Sequence, residues 1–380
     1  MQPMQTSHLN EELLAALATV IDPELRQPIT ELGMVDRAEL TGSVASIRVL
    51  LTIEGCPLRS TIEADVRATV SALEQVSEVE LEVSYMSPDQ RAALRQKLGH
   101  TKQNPFTAPG SLTRIFAVAS GKGGVGKSSA TANLAAACAS MGLSVGIIDA
   151  DVHGFSIPGL LGITAGPTRM DDMIIPPVVE APSGGGVIKV ISIGMFVKPD
   201  QPVAWRGPML HRALEQFLTD VHFGHLDVLF LDLPPGTGDI AISMAQLLPH
   251  AEILLVSTPQ LAAVDVAQRA GTLSLQTEQR VIGVLENMAA MQLPDGTTLP
   301  LFGEGGGAVL TESLGRALGY EVPLLGSVPL EVALREGGDA GTPVVWGAPE
   351  TAAAQELVKT AQALTHRPRG LAGAPLPFTV

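Results

Sequence analysis

Apolar residues recur along this chain with two different periods. Over 78–85 they alternate with acidic residues at Val79, Leu81 and Val83, the spacing of a half-buried strand. Residues 44–53 are rich in β-branched side chains and read as a second strand. Residues 11–20 and 58–73 have helical spacing. Ser87-Pro88-Asp89-Gln90 has the form of a helix start, with Ser87 as N-cap, Pro88 at the first helical position and Gln90 closing a capping box. These elements predict a small α+β domain over 1–99. From about residue 112 the pattern changes. Apolar, strand-length runs at 114–120, 144–149, 187–193, 227–232, 252–257, 280–286 and 324–328 alternate with helix-length segments. Strands buried on both faces and separated by helices predict a doubly wound, mainly parallel α/β sheet over 112–366. Residues 100–111 have the composition of a linker, and the Pro- and Gly-rich stretch 367–380 is expected to form a loosely attached tail.

Composition narrows the class. Hydrophobic residues make up 46% of the 380, enough for a sizeable core, yet no apolar run reaches the roughly 20 residues of a membrane helix. Residues 1–10 are polar and lack the basic and apolar regions of a signal peptide, so a cytoplasmic location without membrane association is expected. The formal net charge of −15 argues against broad nucleic-acid binding, which needs Lys and Arg on phosphates. Aromatics, at 3%, are too scarce for base-stacking platforms. Two cysteines, Cys56 and Cys138, make no disulfide framework, and no Cys or His pair has zinc-ligand spacing.

The chemistry centres on Gly121-Lys122-Gly123-Gly124-Val125-Gly126-Lys127-Ser128, a G-x-x-x-x-G-K-S loop between an apolar strand and an Ala-rich helix. Its glycines permit backbone angles that turn N–H groups inward around phosphate. The following helix adds its positive dipole end. Lys127 is expected to reach the β- and γ-phosphates of ATP, and Ser128 to ligate Mg²⁺. Two further strands end in acids, at Asp149-Ala150-Asp151 and at Asp232, where ligands of open α/β sheets gather. Mg²⁺ favours such hard oxygen ligands. Asp239 serves equally as a cap of the helix that follows it. Cys138, on the Ala-rich helix, is expected in the core.

Lys122 makes the loop resemble the deviant P-loop of the nitrogenase iron protein and MinD/ParA-like ATPases. That resemblance implies a homodimer in which Lys122 crosses to the partner's nucleotide and stabilises phosphoryl transfer as an arginine finger does. It further implies nucleotide contacts from Gly121, Lys122, Gly123, Gly124, Val125, Gly126, Lys127, Ser128 and Ser129. Asp149 would support Mg²⁺ through water, Asp151 would belong to the first switch and orient the attacking water, and Asp232 would be the Walker B acid. Residues 234–238 match the second switch. Asn287 resembles the asparagine that bonds adenine, and Pro329 resembles the loop that packs on the ring.

Finer motifs resemble one branch, the Mrp-type iron–sulfur cluster carriers. They are Asp151-Val152-His153-Gly154-Phe155-Ser156-Ile157-Pro158, Trp205-Arg206-Gly207-Pro208-Met209, Asp232-Leu233-Pro234-Pro235-Gly236-Thr237-Gly238-Asp239, Glu286-Asn287-Met288 and Phe302-Gly303-Glu304-Gly305. In the first domain, Asp22-Pro23-Glu24, Leu32-Gly33-Met34-Val35 and Glu54-Gly55-Cys56-Pro57 resemble the SufT-like domain often fused to these carriers. The resemblance implies slow Mg²⁺-dependent ATP hydrolysis coupled to binding clusters and transferring them to client apoproteins, with assembly proteins as further partners. One departure is sharp. The family's Cys-x-x-Cys, by which two subunits bridge a cluster, should lie between Glu-Asn-Met and Phe-Gly, but residues 289–301 hold neither Cys nor His. Cys56, before Pro57 and a helix, is the remaining candidate cluster ligand or reactive thiol. A nucleotide-gated adaptor without its own cluster is the alternative, and a MinD/ParA-type positioning ATPase ranks below it.

Overall fold

The computed structural model describes residues 10–53, 58–151, 154–196, 207–236, 239–293 and 295–366. They form two compact units: one from the chain up to Lys102 together with Pro167–Pro176, the other from Gln103–Gly166 and the chain after Pro177. The tail expected over 367–380 lies outside the described residues.

The small unit is a three-stranded sheet, β1 (Val35–Thr41), β2 (Val44–Leu51) and β3 (Glu78–Tyr85), with β1–β2 antiparallel and β2–β3 parallel. The Arg59–Ser71 helix is the crossover that a parallel β2–β3 pair requires. Its Ile62, Val66 and Val70 are buried one helical turn apart. The expected capping box is present: Ser87 N–H donates to Gln90 Oε1 at 2.9 Å, and Gln90 N–H donates to Ser87 Oγ at 3.3 Å. Leu13, Leu17, Ile47 and Met34 fill the core.

The larger unit holds an eight-stranded sheet. Its strands are β4 (Arg114–Ser120), β5 (Ser144–Asp149), β8 (Val178–Glu180), β9 (Val187–Ser192), β10 (Val228–Asp232), β11 (Glu252–Ser257), β12 (Val281–Ala289) and β15 (Leu324–Pro329). The spatial order is β15-β12-β11-β4-β10-β5-β9-β8, parallel except for the edge strand β8. Consecutive strands β4 and β5 leave a gap that β10 fills, so the chain reverses its direction of winding beside β4. Ligand crevices of doubly wound sheets form at that reversal, beyond the strands' carboxyl ends. Strand β12 runs three residues past its apolar stretch because Asn287 and Ala289 pair with Val328 and Pro329 of β15.

The Lys127–Ser140 helix is buried almost all round. Alanine makes this possible, since small side chains let the helix lie between the sheet and the Ala352–Thr365 helix, which offers Ala353, Ala354, Leu357 and Ala361 in return. Cys138 is fully buried there, and burial pushes its thiol up to about 12. Residues 103–111 do not act as a free linker: Phe106 packs edge-on against Phe223 with ring centres 6.0 Å apart, and Asn104 Nδ2 donates to the Leu247 carbonyl at 3.0 Å. No helix among the described residues is long and apolar enough to cross a membrane.

Two antiparallel hairpins have no counterpart in the sequence pattern. One is β6 (Thr168–Met170) with β7 (Met173–Ile175), and the other is β13 (Met291–Gln292) with β14 (Thr298–Leu299). Their strands are too short to establish a period. The first hairpin lies within 112–366 of the chain yet packs in the small unit, where Met170 and Met173 are fully buried.

That packing half-buries Glu24, whose carboxylate accepts from Thr168 Oγ1 at 2.5 Å. Burial pushes Glu24 from 4.5 up to about 7; the Thr168 hydroxyl pulls the other way, and the Asp22 charge adds to the rise. A folded-state value above the unfolded one means the neutral acid favours folding. The stability contributed is complete below pH 4.5 and lost as pH rises through about 7. Glu24→Gln is expected to flatten a loss of about 2 kcal/mol between about pH 5 and pH 8, read by amide exchange of β1 and β2. Asp22, also raised by burial, accounts for a residual slope in the same direction.

Candidate functional site

Strand β4 ends at Ser120, and the chain turns through the glycine loop into the Lys127–Ser140 helix. Two glycines are demanded by the geometry. Gly126 has φ of 80°, and a Cβ there would lie 2.2 Å from Asn287 Nδ2. Gly121 backs onto the Leu261–Thr272 helix so closely that a Cβ would lie 2.4 Å from the Ala267 backbone nitrogen. The loop is thus wedged between β12 and that helix, with its first helical turn facing the ends of β5 and β10.

Three side chains of that turn converge on Asp232. Lys127 Nζ lies 2.6 Å from Asp232 Oδ2, Ser128 Oγ donates to the same oxygen at 2.6 Å, and Thr131 Oγ1 donates to Oδ1 at 2.8 Å. Lys127 is 6% exposed and Asp232 is fully buried. Buried charges persist only when paired and hydrogen-bonded, and here both conditions hold. Thr131 was missed in the sequence reading. Its signal was available: a hydroxyl four residues after Lys127, on the same helical face, within an otherwise alanine-rich stretch.

Asp149 and Asp232 are directly paired in register at the ends of neighbouring parallel strands. Asp149 accepts from Ser192 Oγ at 3.0 Å and from the Asp151 N–H at 3.2 Å. Burial, reinforced by the neighbouring Asp232 charge, pushes Asp149 up to about 7. Two buried carboxylates thus face a single ammonium. A divalent cation suits this edge because it would supply the missing positive charge and draw Asp149 back to its ionised form. The donors at hand, Ser128 Oγ, Asp232 and Asp149, are hard oxygens of the kind Mg²⁺ takes together with nucleotide phosphates. Asp151 is buried beside them, its Oδ1 accepting from the Gly154 N–H at 3.1 Å.

The other sequence-predicted residues fall as follows. Lys122 Nζ donates to Gln260 Oε1 at 2.8 Å, an acceptor no sequence feature had singled out. Asn287 is buried and ties β12 to the loop, its Nδ2 donating to the Val125 carbonyl at 2.9 Å. Pro329 ends β15, half-buried. Gly236 of the second switch donates its N–H to the Ser120 carbonyl at 2.9 Å. Glu286, known beforehand only as part of a motif, is a buried strut: it accepts from the Gly307 N–H at 2.7 Å and from Ser327 Oγ at 2.6 Å. Cys56, and residues 152–153, 205–206 and 237–238 of the motifs, lie outside the described residues. Ser129 opens onto Asn133, whose Nδ2 donates to its carbonyl at 2.9 Å. Residues 289–301, where a cysteine pair was sought, carry the β13–β14 hairpin. Among the described residues no group of three or more His, Cys, Asp or Glu is disposed to hold a metal ion.

Thr131→Val keeps the shape but leaves Asp232 Oδ1 short of a donor. It is expected to cost about 1–3 kcal/mol of stability, read by urea unfolding, whereas Thr131→Ser should cost less.

Comparison with known proteins agrees with this geometry. Residues 111–365 match the family described as ParA, the NUBPL iron-transfer P-loop NTPases, and residues 10–82 match the family described as iron–sulfur cluster assembly protein. A Mycobacterium tuberculosis protein named iron–sulfur cluster carrier protein is 54% identical, covering 97% of this chain and 96% of its own length. One of the same name from Synechocystis is 39% identical over 94% of this chain and 97% of its own. A nucleotide-binding protein of Archaeoglobus fulgidus, solved with ADP, is 35% identical with a TM-score of 0.52, covering 63% of this chain and 91% of its own. With its loop, its strand-end acids and this kinship running along both units, the chain belongs to the NUBPL iron-transfer P-loop NTPase family.

Proposed function

We propose that this protein is an ATP-binding and ATP-hydrolysing carrier that binds iron–sulfur clusters and transfers them to apoproteins. Its kinship along nearly the whole chain to proteins named iron–sulfur cluster carriers is the observation that supports this most. On this reading the loop N–H groups and Lys127 hold the phosphates of ATP, and Lys127 exchanges its Asp232 partner for them. Ser128, Asp149 and Asp232 would hold Mg²⁺, which would supply Lewis-acid chemistry to the phosphates when bound. Asp151 orients the attacking water. Asn287 and Pro329 flank the adenine. Lys122 leaves Gln260 and crosses to the nucleotide of a second copy, so the working unit is a homodimer in the cytoplasm.

Hydrolysis is the directly testable part. Lys127→Ala and Asp232→Ala are expected to abolish phosphate release. Lys122→Ala should retain nucleotide binding but lose the rise in specific activity with protein concentration that dimerisation produces, by about 10³-fold if the lysine acts as an arginine finger does. Unchanged turnover in the Lys122 variant would remove the trans-acting lysine.

The cluster is cargo, and its protein ligands would have to come from the chain's two cysteines. Cys138 is unsuited, being buried with its thiol pushed up to about 12. That leaves Cys56, with two copies supplying two thiolates and a client or small thiol completing the set. A second reading, a nucleotide-gated adaptor without its own cluster, is favoured by the absence of Cys and His from 289–301. Anaerobic reconstitution with iron and sulfide separates the two. The carrier reading expects a cluster absorbance that Cys56→Ala removes; a protein that takes up no cluster and delivers none, yet binds clients differently in ATP and ADP, is the adaptor.

A further inference from the structure

The glycine loop occupies the carboxyl end of the large sheet. At the opposite, amino end, where β12 begins at Val281, the larger unit has an open pocket of about 420 Å³. Ser274, Leu275, Glu278, Gln279, Arg280 and Tyr320 line it. Asn287, which touches the glycine loop, lies near the far end of β12, so pocket and loop are about 20 Å apart along the strand.

The walls of this pocket are tied down. The Leu261–Thr272 helix runs on into a short helical turn, Ser274–Thr277, which Glu278 closes in the left-handed region with φ of 56°. Gln279 turns inward and is buried. Its Nε2 donates to the Leu248 carbonyl at 3.2 Å, and its N–H donates to the Ser274 carbonyl at 3.2 Å. The Arg280 carbonyl accepts from the Ile253 N–H at 2.8 Å, which fastens the loop to β11. On the other side, the Tyr320 hydroxyl accepts from the Val281 N–H at 2.9 Å. Binding sites for small molecules are commonly preformed in this way, and the volume lies in their usual range.

Within these fixed walls several polar groups have bonding capacity to spare. Ser274 is 2% exposed, and its hydroxyl has no hydrogen-bond partner among the described residues. A buried hydroxyl left unpaired is costly, and most in folded proteins are satisfied. The Arg280 guanidinium lies over the Tyr320 ring, 5.3 Å from its centre. Stacking fixes the plane of the fork and leaves its N–H edge for a carboxylate. The Tyr320 hydroxyl, having accepted from Val281, keeps its own hydrogen to donate. Glu278 lines the same pocket as Arg280, yet among the described residues the two form no ion pair with each other or with any other charge. Leu275, 58% exposed, adds apolar surface beside the Tyr320 ring.

We propose that this pocket binds a small zwitterion with an apolar side chain, an α-amino acid of about leucine's size. Its carboxylate takes the Arg280 fork and the hydroxyl donors, its ammonium takes Glu278, and its side chain rests on Leu275 and the Tyr320 ring. The opposite charges decide the class. A simple anion would meet the Glu278 carboxylate and a simple cation the Arg280 guanidinium, whereas a zwitterion answers both.

The test titrates the full chain calorimetrically with L-leucine, with L-leucinamide, which lacks the carboxylate, and with 4-methylvaleric acid, which lacks the ammonium. L-leucine is expected to bind with a Kd below about 1 mM, and each truncated probe at least about tenfold more weakly. Arg280→Gln and Glu278→Gln should each weaken L-leucine by at least about tenfold while melting temperature and phosphate release stay unchanged. Ser274→Ala removes the unpaired hydroxyl, so it should melt no lower than the native chain yet bind L-leucine more weakly. No binding of L-leucine up to about 10 mM overturns the site. Binding that both charge variants leave unchanged overturns it as well. A truncated probe that binds as tightly as L-leucine overturns the zwitterion assignment.

Discussion

The Asp232 carboxylate is where the nucleotide-binding unit is drawn together. It ends a fully buried strand and accepts from Lys127, Ser128 and Thr131, all on the first turn of one helix. That turn sits at the foot of the glycine loop, so the carboxylate fixes the loop's exit to the sheet. Asp149, its neighbour in register, faces the same ammonium but is pushed towards neutrality by burial and by the Asp232 charge. The resulting excess of negative charge at a strand end is expensive for a core. It becomes an advantage where a divalent cation and a phosphate chain are to be held, because each part then lacks what the ligand supplies.

The rest of the unit positions this pair. Winding reverses beside β4, which opens the crevice in which the loop lies. Alanines on the Lys127–Ser140 helix allow it to sink between sheet and C-terminal helix, so its N-terminus is held from several sides. Asn287 and Gly126 lock the loop to β12, and Gly121 locks it to the helix behind. Glu286, next to Asn287, braces the start of the Gly306–Leu318 helix and β15 together. Motif residues of the sequence thus divide into those facing the crevice and those holding its walls.

Lys122 illustrates how one residue carries both a local and a wider meaning. Within a single chain its ammonium rests on Gln260, at the cap of the helix that also backs Gly121. The small unit has a parallel tension at Glu24, a carboxylate half-buried beside a hairpin that arrives from a distant part of the chain. In both places the structure keeps a charged or chargeable group on a partner that a change of state could remove.

Much of this was legible from the residues alone, wherever the cause is local. Ser87 and Gln90 form their capping box because its geometry depends on four consecutive residues. Buried parallel strands read as apolar runs, and β4, β5 and β11 have the bounds their composition predicts. The glycine loop, Lys127 and the strand-end acids were identifiable because strand, loop and helix are contiguous. What the sequence could not carry was partnership across the chain. Thr131 on Asp232, Gln260 under Lys122, Asn287 against Val125, and a strand pair distant in sequence completing the small unit's own core all depend on segments brought together only by folding. Local propensity and periodicity determine elements and motifs. Which side chain answers which charge is set by sheet order and packing, and those exist only in the tertiary structure.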